Sequence, residues 1–279
     1  MFKKFIASLG LALFLPVLLI ILWLWLANVV NNSMILPPFP KVLGNLLHPN
    51  QSLIGLGSLA VNILISLLRV MIGYLLAVAV ALPLGIMMGY SKTIYQLFNN
   101  FIGLFRPIPP LAWVPLVLAW FGIASLATLA GVEQGQWYIY LGSFKLSMIF
   151  IIFIGAFYPI LTSAVHAVKN VRQTLIDTGK ILGASEVDIF TKILIPAAAP
   201  TMVNGLRTGL GTAWACLIAA EMLPGSLSGV GYMITHAYEL ARIDVVMTGM
   251  ISIGLIGALL DFMFRTLEEK RYGWQQRVK

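Results

Sequence analysis

From Val70 to Tyr90 the chain reads VMIGYLLAVAVALPLGIMMGY, without one charged side chain. A helix needs about 20 mainly apolar residues to cross a hydrocarbon core about 30 Å thick, where an unpaired backbone group finds no water. Similar segments recur, and the expected spans lie at about residues 9–27, 69–90, 97–122, 141–165, 200–222 and 243–264. With 59% of its residues hydrophobic and 10% charged, the chain holds more apolar surface than a soluble domain buries. An all-α, polytopic membrane protein with about six transmembrane helices is expected. The second segment's apolar pattern runs back towards Leu56. The first segment ends in WLWLANVVNN, which lacks a small-residue cleavage site and therefore reads as a retained helix.

Lysine and arginine in short loops resist translocation. With both termini inside, the inner segments carry Lys3, Lys4, Lys92, Lys169, Arg172, Lys180, Lys192, Arg265, Lys270, Arg271, Arg277 and Lys279, and the outer loops only Lys41, Lys145 and Arg242. The net charge of +8 follows from this bias, which removes the support for nucleic acid as a partner. Cys216, the lone cysteine, falls in an expected span, so no disulfide is read. His166 and His236 have no companions at metal-ligand spacing, so no metal site is assigned.

No repeat or long linker divides residues 1–279, which read as a single transmembrane domain. The outer loop NNSMILPPFPKVLGNLLHPNQ suits an extended connection followed by a short interfacial helix. Pro16, Pro83, Pro107, Pro109, Pro110, Pro115 and Pro159 lie in expected spans, where each removes a helix hydrogen bond.

The one long inner loop, about residues 169–199, is built differently from the spans. VRQTLIDTGKIL places Val171, Leu175, Thr178 and Leu182 on one stripe of a helix, leaving Arg172, Asp177 and Lys180 for water. Gly183-Ala184 breaks it, glycine tolerating the left-handed backbone that ends a helix. Ser185 and Asp188 have capping-box spacing, and Glu186 and Lys192 suit opposite ends of the dipole. Val187, Phe190 and Leu194 form a second apolar stripe, and Pro196 and Pro200 are expected to stop this helix before the fifth span. Two readings fit: a helix resting on the membrane surface, or a docking helix for a cytoplasmic partner.

Asp177-Thr178-Gly179, three residues, Gly183, nine residues, then Ile193 and Ile195-Pro196 resemble the signature loop of bacterial ABC importer permeases, usually EAA-x3-G-x9-I-x-LP. Asp for Glu and Thr-Gly for Ala-Ala depart from that form. SLLRVMIGYLLAVAVALPLGIMMGYS, LFRPIPPLAWVPLVLAWFGI, and AWACLIAAEML through SGVGYMI are similar to its nitrate, sulfonate, taurine and bicarbonate branch, over about residues 57–266. The resemblance implies a type I importer permease fold in a bacterial inner membrane. It implies a coupling helix at Gly183 to Phe190, with Asp177, Gly183, Ala184, Ser185, Glu186, Val187, Asp188, Phe190 and Pro196 serving ATPase coupling. The implied partners are two ABC ATPase subunits, a second permease copy, a periplasmic substrate-binding protein and the lipid bilayer. ATP and Mg would be bound by the ATPase subunits. This chain has no G-x-x-x-x-G-K-[ST] loop, carries no cofactor of its own and is read as a transport subunit, not an enzyme.

The fifth span has Gly205, Gly209 and Ala213 at intervals of four, and Gly211, Ala215 and Ala219 in a second row, which suits close helix packing. Asn204, Arg207, Thr208 and Thr212 share that span, and Arg106 lies in the third. Polar groups at depth face protein or a wet cavity, so these five residues are pathway candidates. A structural reading competes: Arg207 snorkelling to the inner surface, Arg106 satisfying carbonyls freed by the prolines after it. Arg69 is placed at the outer interface, and Asp261 is paired with Arg265 four residues on. The stretch GIASLATLAGVEQGQWYIYLGSFK looks most like nitrate and nitrite permeases, which ranks nitrate or nitrite first as cargo, bicarbonate second and a sulfonate such as taurine third. An ATP-independent secondary transporter would call for carboxylates within the spans, of which only Asp261 and Glu221 are candidates. An intramembrane enzyme would call for a buried catalytic cluster, and none is legible.

Overall fold

The computed structural model describes residues 2–122, 124–223 and 226–272, with side chains from residue 14 onward except residue 139. Arg277, Lys279 and the side chains of Lys3 and Lys4 lie outside the described residues. The chain is helical: α1 Phe2–Val30, α2 Phe39–Leu47, α3 Leu59–Tyr90, α4 Lys92–Phe105, a 3-10 turn Pro110–Trp113, α5 Val114–Phe121, α6 Leu126–Leu129, α7 Gln136–Gly142, α8 Leu146–Lys169, α9 Gln173–Ile181, α10 Glu186–Asp188, a π-helical turn Ile189–Leu194, α11 Ile195–Glu221, α12 Val230–Glu239 and α13 Ile243–Tyr272. Among the described residues there is no sheet, only two isolated bridges.

Among the described residues, four helical stretches are long and apolar enough to cross a membrane: Leu59–Tyr90, Leu146–Lys169, Glu186–Glu221 and Ile243–Tyr272. The expected third span is not one rod. Its residues form α4 and the Pro110–Phe121 stretch, bent by 82° to each other. Pro107, Pro109 and Pro110 lack amide hydrogens, and although Arg106 is still helical, Pro109 before Pro110 is extended at φ −58°, ψ 142°, so no helix continues through. In α1 the described apolar stretch is Phe14–Val30.

Contacts group the chain into two compact units, Met1–Leu64 with Ser228–Gly254, and Ile65–Leu227 with Leu255–Lys279. In the first, the outer loop folds back on α1: Trp23 Nε1 donates to Pro37 O at 3.0 Å and the Trp23 ring meets Phe39 edge-on. Asp244, 3% exposed, is held by Arg242 at 2.9 Å and Lys41 at 3.3 Å. Two of the three expected outer-loop cations are thus engaged by one carboxylate. Asn62, almost fully buried, accepts from Gly229 N at 2.8 Å and donates to the Leu56 and Ser58 carbonyls.

The second unit is assembled around α8. On α3, Gly73, Ala77, Ala81, Gly85 and Gly89 recur every fourth residue, a row of small side chains that lets helices approach closely. Ala77 and Ala81 are fully buried, and Gly73, Gly85 and Gly89 lie against Ile152, Ala164 and Val168 of α8. A Cβ on Gly85 would fall 2.6 Å from Ala164 Cβ and 2.8 Å from Leu161 O. Because that oxygen belongs to the backbone, the helices themselves would have to separate. Gly85→Leu is expected to cost about 3 kcal/mol, the upper end for overpacking, and to lower the monodisperse fraction in detergent, whereas Gly103→Leu, at a position with no neighbour within 4 Å, should leave it unchanged.

The candidate coupling segment and translocation cleft

Around Gly183 the structure closes α9 with a six-residue capping turn. Gly183 has φ +80°, and its N–H donates to Lys180 O while Ala184 N–H donates to Gly179 O, both at 3.0 Å. These two bonds satisfy carbonyls that a helix end leaves free, and they require the left-handed residue between them. Nothing lies within 4 Å of a Cβ on Gly183, so the demand there is on backbone conformation alone. The neighbouring departure from the signature, Gly179, also has a physical reason. It is buried, and a Cβ there would meet Ile193 Cδ1 at 2.5 Å.

Ser185 then caps the next helix, its Oγ accepting from Asp188 N at 3.2 Å and donating to Asp188 Oδ2 at 2.6 Å. Lys192 Nζ reaches Asp188 Oδ1 at 2.6 Å. The Lys192 and Ser185 hydrogen bonds hold the Asp188 carboxyl down from an ordinary 3.8 to about 2. Its contribution to the cap is therefore complete above pH 4 and lost only as the pH falls towards 2. Asp177 Oδ1 accepts from Gln173 Nε2 at 3.0 Å, and Glu186 receives Lys180 at 3.6 Å and the Tyr90 hydroxyl at 3.4 Å. Tyr90, the last residue of α3, also packs edge-on against Phe190 at 5.3 Å.

The structure divides the loop's apolar residues differently from the two stripes read in the sequence. Val171, Ile176, Phe190 and Ile195 pack on a buried cluster of Ala164, Val168, Leu194, Ala198 and Met202. Leu175, Ile181, Leu182 and Val187 face outward instead, 47%, 85%, 80% and 71% exposed. Pro196 and Pro200 do not end the helix either. Ile195 N–H donates five residues back to Phe190 O, a wide turn that resets the hydrogen-bond ladder where Pro196 has no N–H to give. From Glu186 to Glu221 the backbone is therefore one continuous helical rod of 36 residues.

Along this rod the first small-residue row is the packing face. A Cβ on Gly209 would meet Ile160 Cγ1 at 2.6 Å, Gly205 lies against Ser163, and Ala213 is fully buried. Thr212 Oγ1 donates to Gly155 O at 2.8 Å, the carbonyl that Pro159 has no N–H to fill. Thr201, Asn204, Thr208, Gly211 and Ala215 face outward. This exposed stripe is small and polar, whereas the exposed face of α3 carries Leu68, Leu75, Val80 and Met87.

The cationic candidates separate. Arg207 faces α13, with Nε 2.5 Å from Asp261 Oδ1, Nη2 2.9 Å from Asp261 Oδ2 and Nη1 3.8 Å from Glu268. Asp261 is thus held by Arg207 rather than by Arg265. Arg106 stands elsewhere, at the C-terminus of α4, where it lines a cleft of about 390 Å³ with Pro109, Tyr158, Thr162, Thr212 and Ala215. Arg69, expected at the outer interface, is buried at 1% exposure. Its Nη1 lies 2.7 Å from Oε1 of the fully buried Glu221, whose carboxylate also accepts from Ser66 Oγ at 2.8 and 2.9 Å. Arg69 Nε and Nη2 donate to Ser143 O.

Residues 81–271 match the family model described as the binding-protein-dependent transport system inner membrane component. The chain belongs to that family of importer permeases. An ABC transporter permease protein of Methanocaldococcus jannaschii is 48% identical over 95% of this permease and 92% of its own length. The taurine transport system permease protein of Escherichia coli is 33% identical over 95% and 89%. The nitrate import permease protein of Synechocystis is 35% identical over 75% and 69%. In structure, the permease resembles a methionine ABC transporter in an inward-facing conformation, with a TM-score of 0.60 at 18% identity, covering 76% of this chain and 95% of that one. The fold is that of a type I importer permease.

The permease's glycine hinge, capped turn and proline were visible in its sequence. The Arg69–Glu221 and Arg207–Asp261 pairs were not, because partners 152 and 54 residues apart leave no local signal. The small-residue row on α3 was missed although it is there to be read at every fourth position.

Proposed function

We propose that this permease forms the membrane pathway of an ATP-driven importer of a small anion, nitrate or nitrite first. The supporting observation is mechanical. Outward apolar side chains at Leu175, Ile181 and Leu182 of α9 and its cap, and at Val187, precede and begin a helical rod that continues as α11 to the cleft. Exposed apolar patches of this kind mark protein contact sites, and the capped segment Gly183 to Phe190 is the ATPase-coupling element, with Asp177, Ala184, Ser185, Glu186, Asp188 and Pro196 shaping it. Nucleotide-driven closure of two ATPase subunits pushes on this patch and turns α11. ATP and Mg belong to those subunits, and a binding protein delivers the anion from outside. The loop lies in the cytoplasm with both termini, in the inner membrane.

The polar stripe Thr201, Asn204, Thr208 and Gly211 supports a further part of the reading. Such a face is poorly suited to lipid, and here it meets a second copy of the permease and lines the pathway together with Arg106 and Thr212. Arg207, engaged by two carboxylates, holds α11 to α13 rather than meeting cargo.

A sulfonate such as taurine is the second reading, favoured by the taurine permease's match over 95% of this chain; bicarbonate is the third. Reconstitution with the ATPase subunits and binding protein, followed by uptake of labelled nitrate, bicarbonate and taurine, decides among them. Nitrate uptake that requires ATP and is at least tenfold faster than the other two is expected. Taurine uptake alone would replace nitrate as cargo, and uptake indifferent to ATP would remove the importer reading.

A further inference from the structure

Arg69, Arg207 and Arg242 are each held by a carboxylate. Arg106 has no carboxylate partner among the described residues, nor is its guanidinium engaged by the carbonyls around Pro107, Pro109 and Pro110. It lines two openings at once. One is the 390 Å³ cleft beside α11. The other is a cavity of about 120 Å³ between α3, α4 and α8, whose polar lining is Tyr95, Asn99, Arg106, Thr162, His166 and Lys169.

The second cavity holds two full cations and an imidazole, and no acidic side chain lines it. Its α4 wall presents Tyr95, Asn99, Ile102 and Arg106, spaced 4, 3 and 4 along the helix, and its α8 wall presents Thr162, Val165, His166 and Lys169. Lys169 Nζ sits 3.0 Å from the centroid of the Tyr95 ring, so its ammonium group is fixed at the cavity wall by cation–π attraction. A water occupies about 10–15 Å³ of such volume. The space, open to the surface where Asn99, Arg106, His166 and Lys169 are exposed, therefore suits an oxyanion group of a few heavy atoms with part of its water shell. Guanidinium, ammonium and amide donors on opposite walls match the acceptor-only periphery of such a group.

We propose that this cavity binds one small oxyanion group, with Arg106 and Lys169 as its cations and Asn99 as a neutral donor. Arg106, shared by both openings, is where an anion leaves the wide cleft for the narrow one. The inference rests on the importer reading only for the identity of a free anion. The phosphate of an anionic lipid offers the same chemistry, and the experiment separates the two sources.

The permease is assembled with its ATPase subunits in nanodiscs of phosphatidylcholine, and binding of 15N-nitrate and 35S-sulfate is measured by equilibrium dialysis without nucleotide. Saturable binding of at least one anion is expected. Arg106→Gln and Lys169→Gln should each weaken it about 10- to 100-fold, the effect of removing one charge-assisted hydrogen bond, while Arg172→Gln, outside the cavity lining, should match the wild type. In nanodiscs containing phosphatidylglycerol, loss of ion binding together with Arg106-dependent retention of that lipid assigns the site to a headgroup; undiminished ion binding assigns it to a free anion. Identical ion and lipid binding in wild type and both cavity variants overturns the site. ATP-driven uptake is read on the same preparations. Normal wild-type uptake with binding indifferent to Arg106 removes the site and leaves the importer standing, whereas Arg106-dependent binding without any ATP-driven uptake does the reverse.

Discussion

Glu221→Gln and Arg69→Met are each expected to reduce the yield of folded permease severely, while Arg69→Met combined with Glu221→Leu recovers much of it. Both side chains are withdrawn from solvent, at 1% and 0% exposure. Their 2.7 Å contact is completed by Ser66 and by the Ser143 carbonyl. Removing one member strands the other charge in a low-dielectric interior, at a cost of about 3–5 kcal/mol. Replacing both with apolar groups of similar volume removes the desolvation penalty along with the attraction, and such exchanges range from neutral to stabilising. The pair ties α3 to the last residue of α11 and to the segment before α8, so its loss should loosen that end of the second unit. Thermal unfolding of detergent-purified protein, followed by tryptophan fluorescence and by the monodisperse fraction, checks it. Single variants as stable as the wild type would show that the pair contributes nothing.

The second large effect concerns the outward patch on the loop. Leu182→Asp with Val187→Asp should leave the permease inserted and monodisperse, because both side chains are exposed in the isolated chain. Yet the ATPase subunits should no longer co-elute with it. A central interface residue contributes about 2 kcal/mol or more, which is roughly a 30-fold change in affinity, and two introduced charges would desolvate without partners. ATP-driven uptake is expected to fall at least as far. Co-elution and uptake both unchanged would remove the patch from the coupling surface. Gly183→Val gives an independent check, since the residue's φ of +80° is strained for any β-branched side chain by about 1–2 kcal/mol.

How much of this was legible beforehand depended on the range of the interaction. The capping turn, the Ser185–Asp188 box and the left-handed Gly183 involve neighbours within six residues, and the sequence displays all their chemistry. The apolar stripes were visible too, but a 3.6-residue period identifies a face without saying whether it turns inward. For Leu175, Leu182 and Val187 it turns outward, and Gly179 rather than Thr178 takes the inner position. The run Pro107–Ile108–Pro109–Pro110 announced a disturbance in the third span but not its 82° size. The pathway candidates were separable only in three dimensions. Arg106 and Arg207 look alike along the chain, and only the folded helices bring two carboxylates to one and leave the other open to a cleft.

The wide turn at Ile189–Leu194 has a consequence for the azimuth of the fifth span. A helix advances about 100° per residue, so one additional residue accommodated there fixes which side of α11 lies below the loop's exposed patch. In the importer proposed above, the register between the loop's exposed patch and the polar stripe of α11 is held by that single local excess of backbone. Excising one residue from the turn would redirect Asn204 and Thr208 by roughly a quarter of a revolution while leaving every side chain in both surfaces chemically intact.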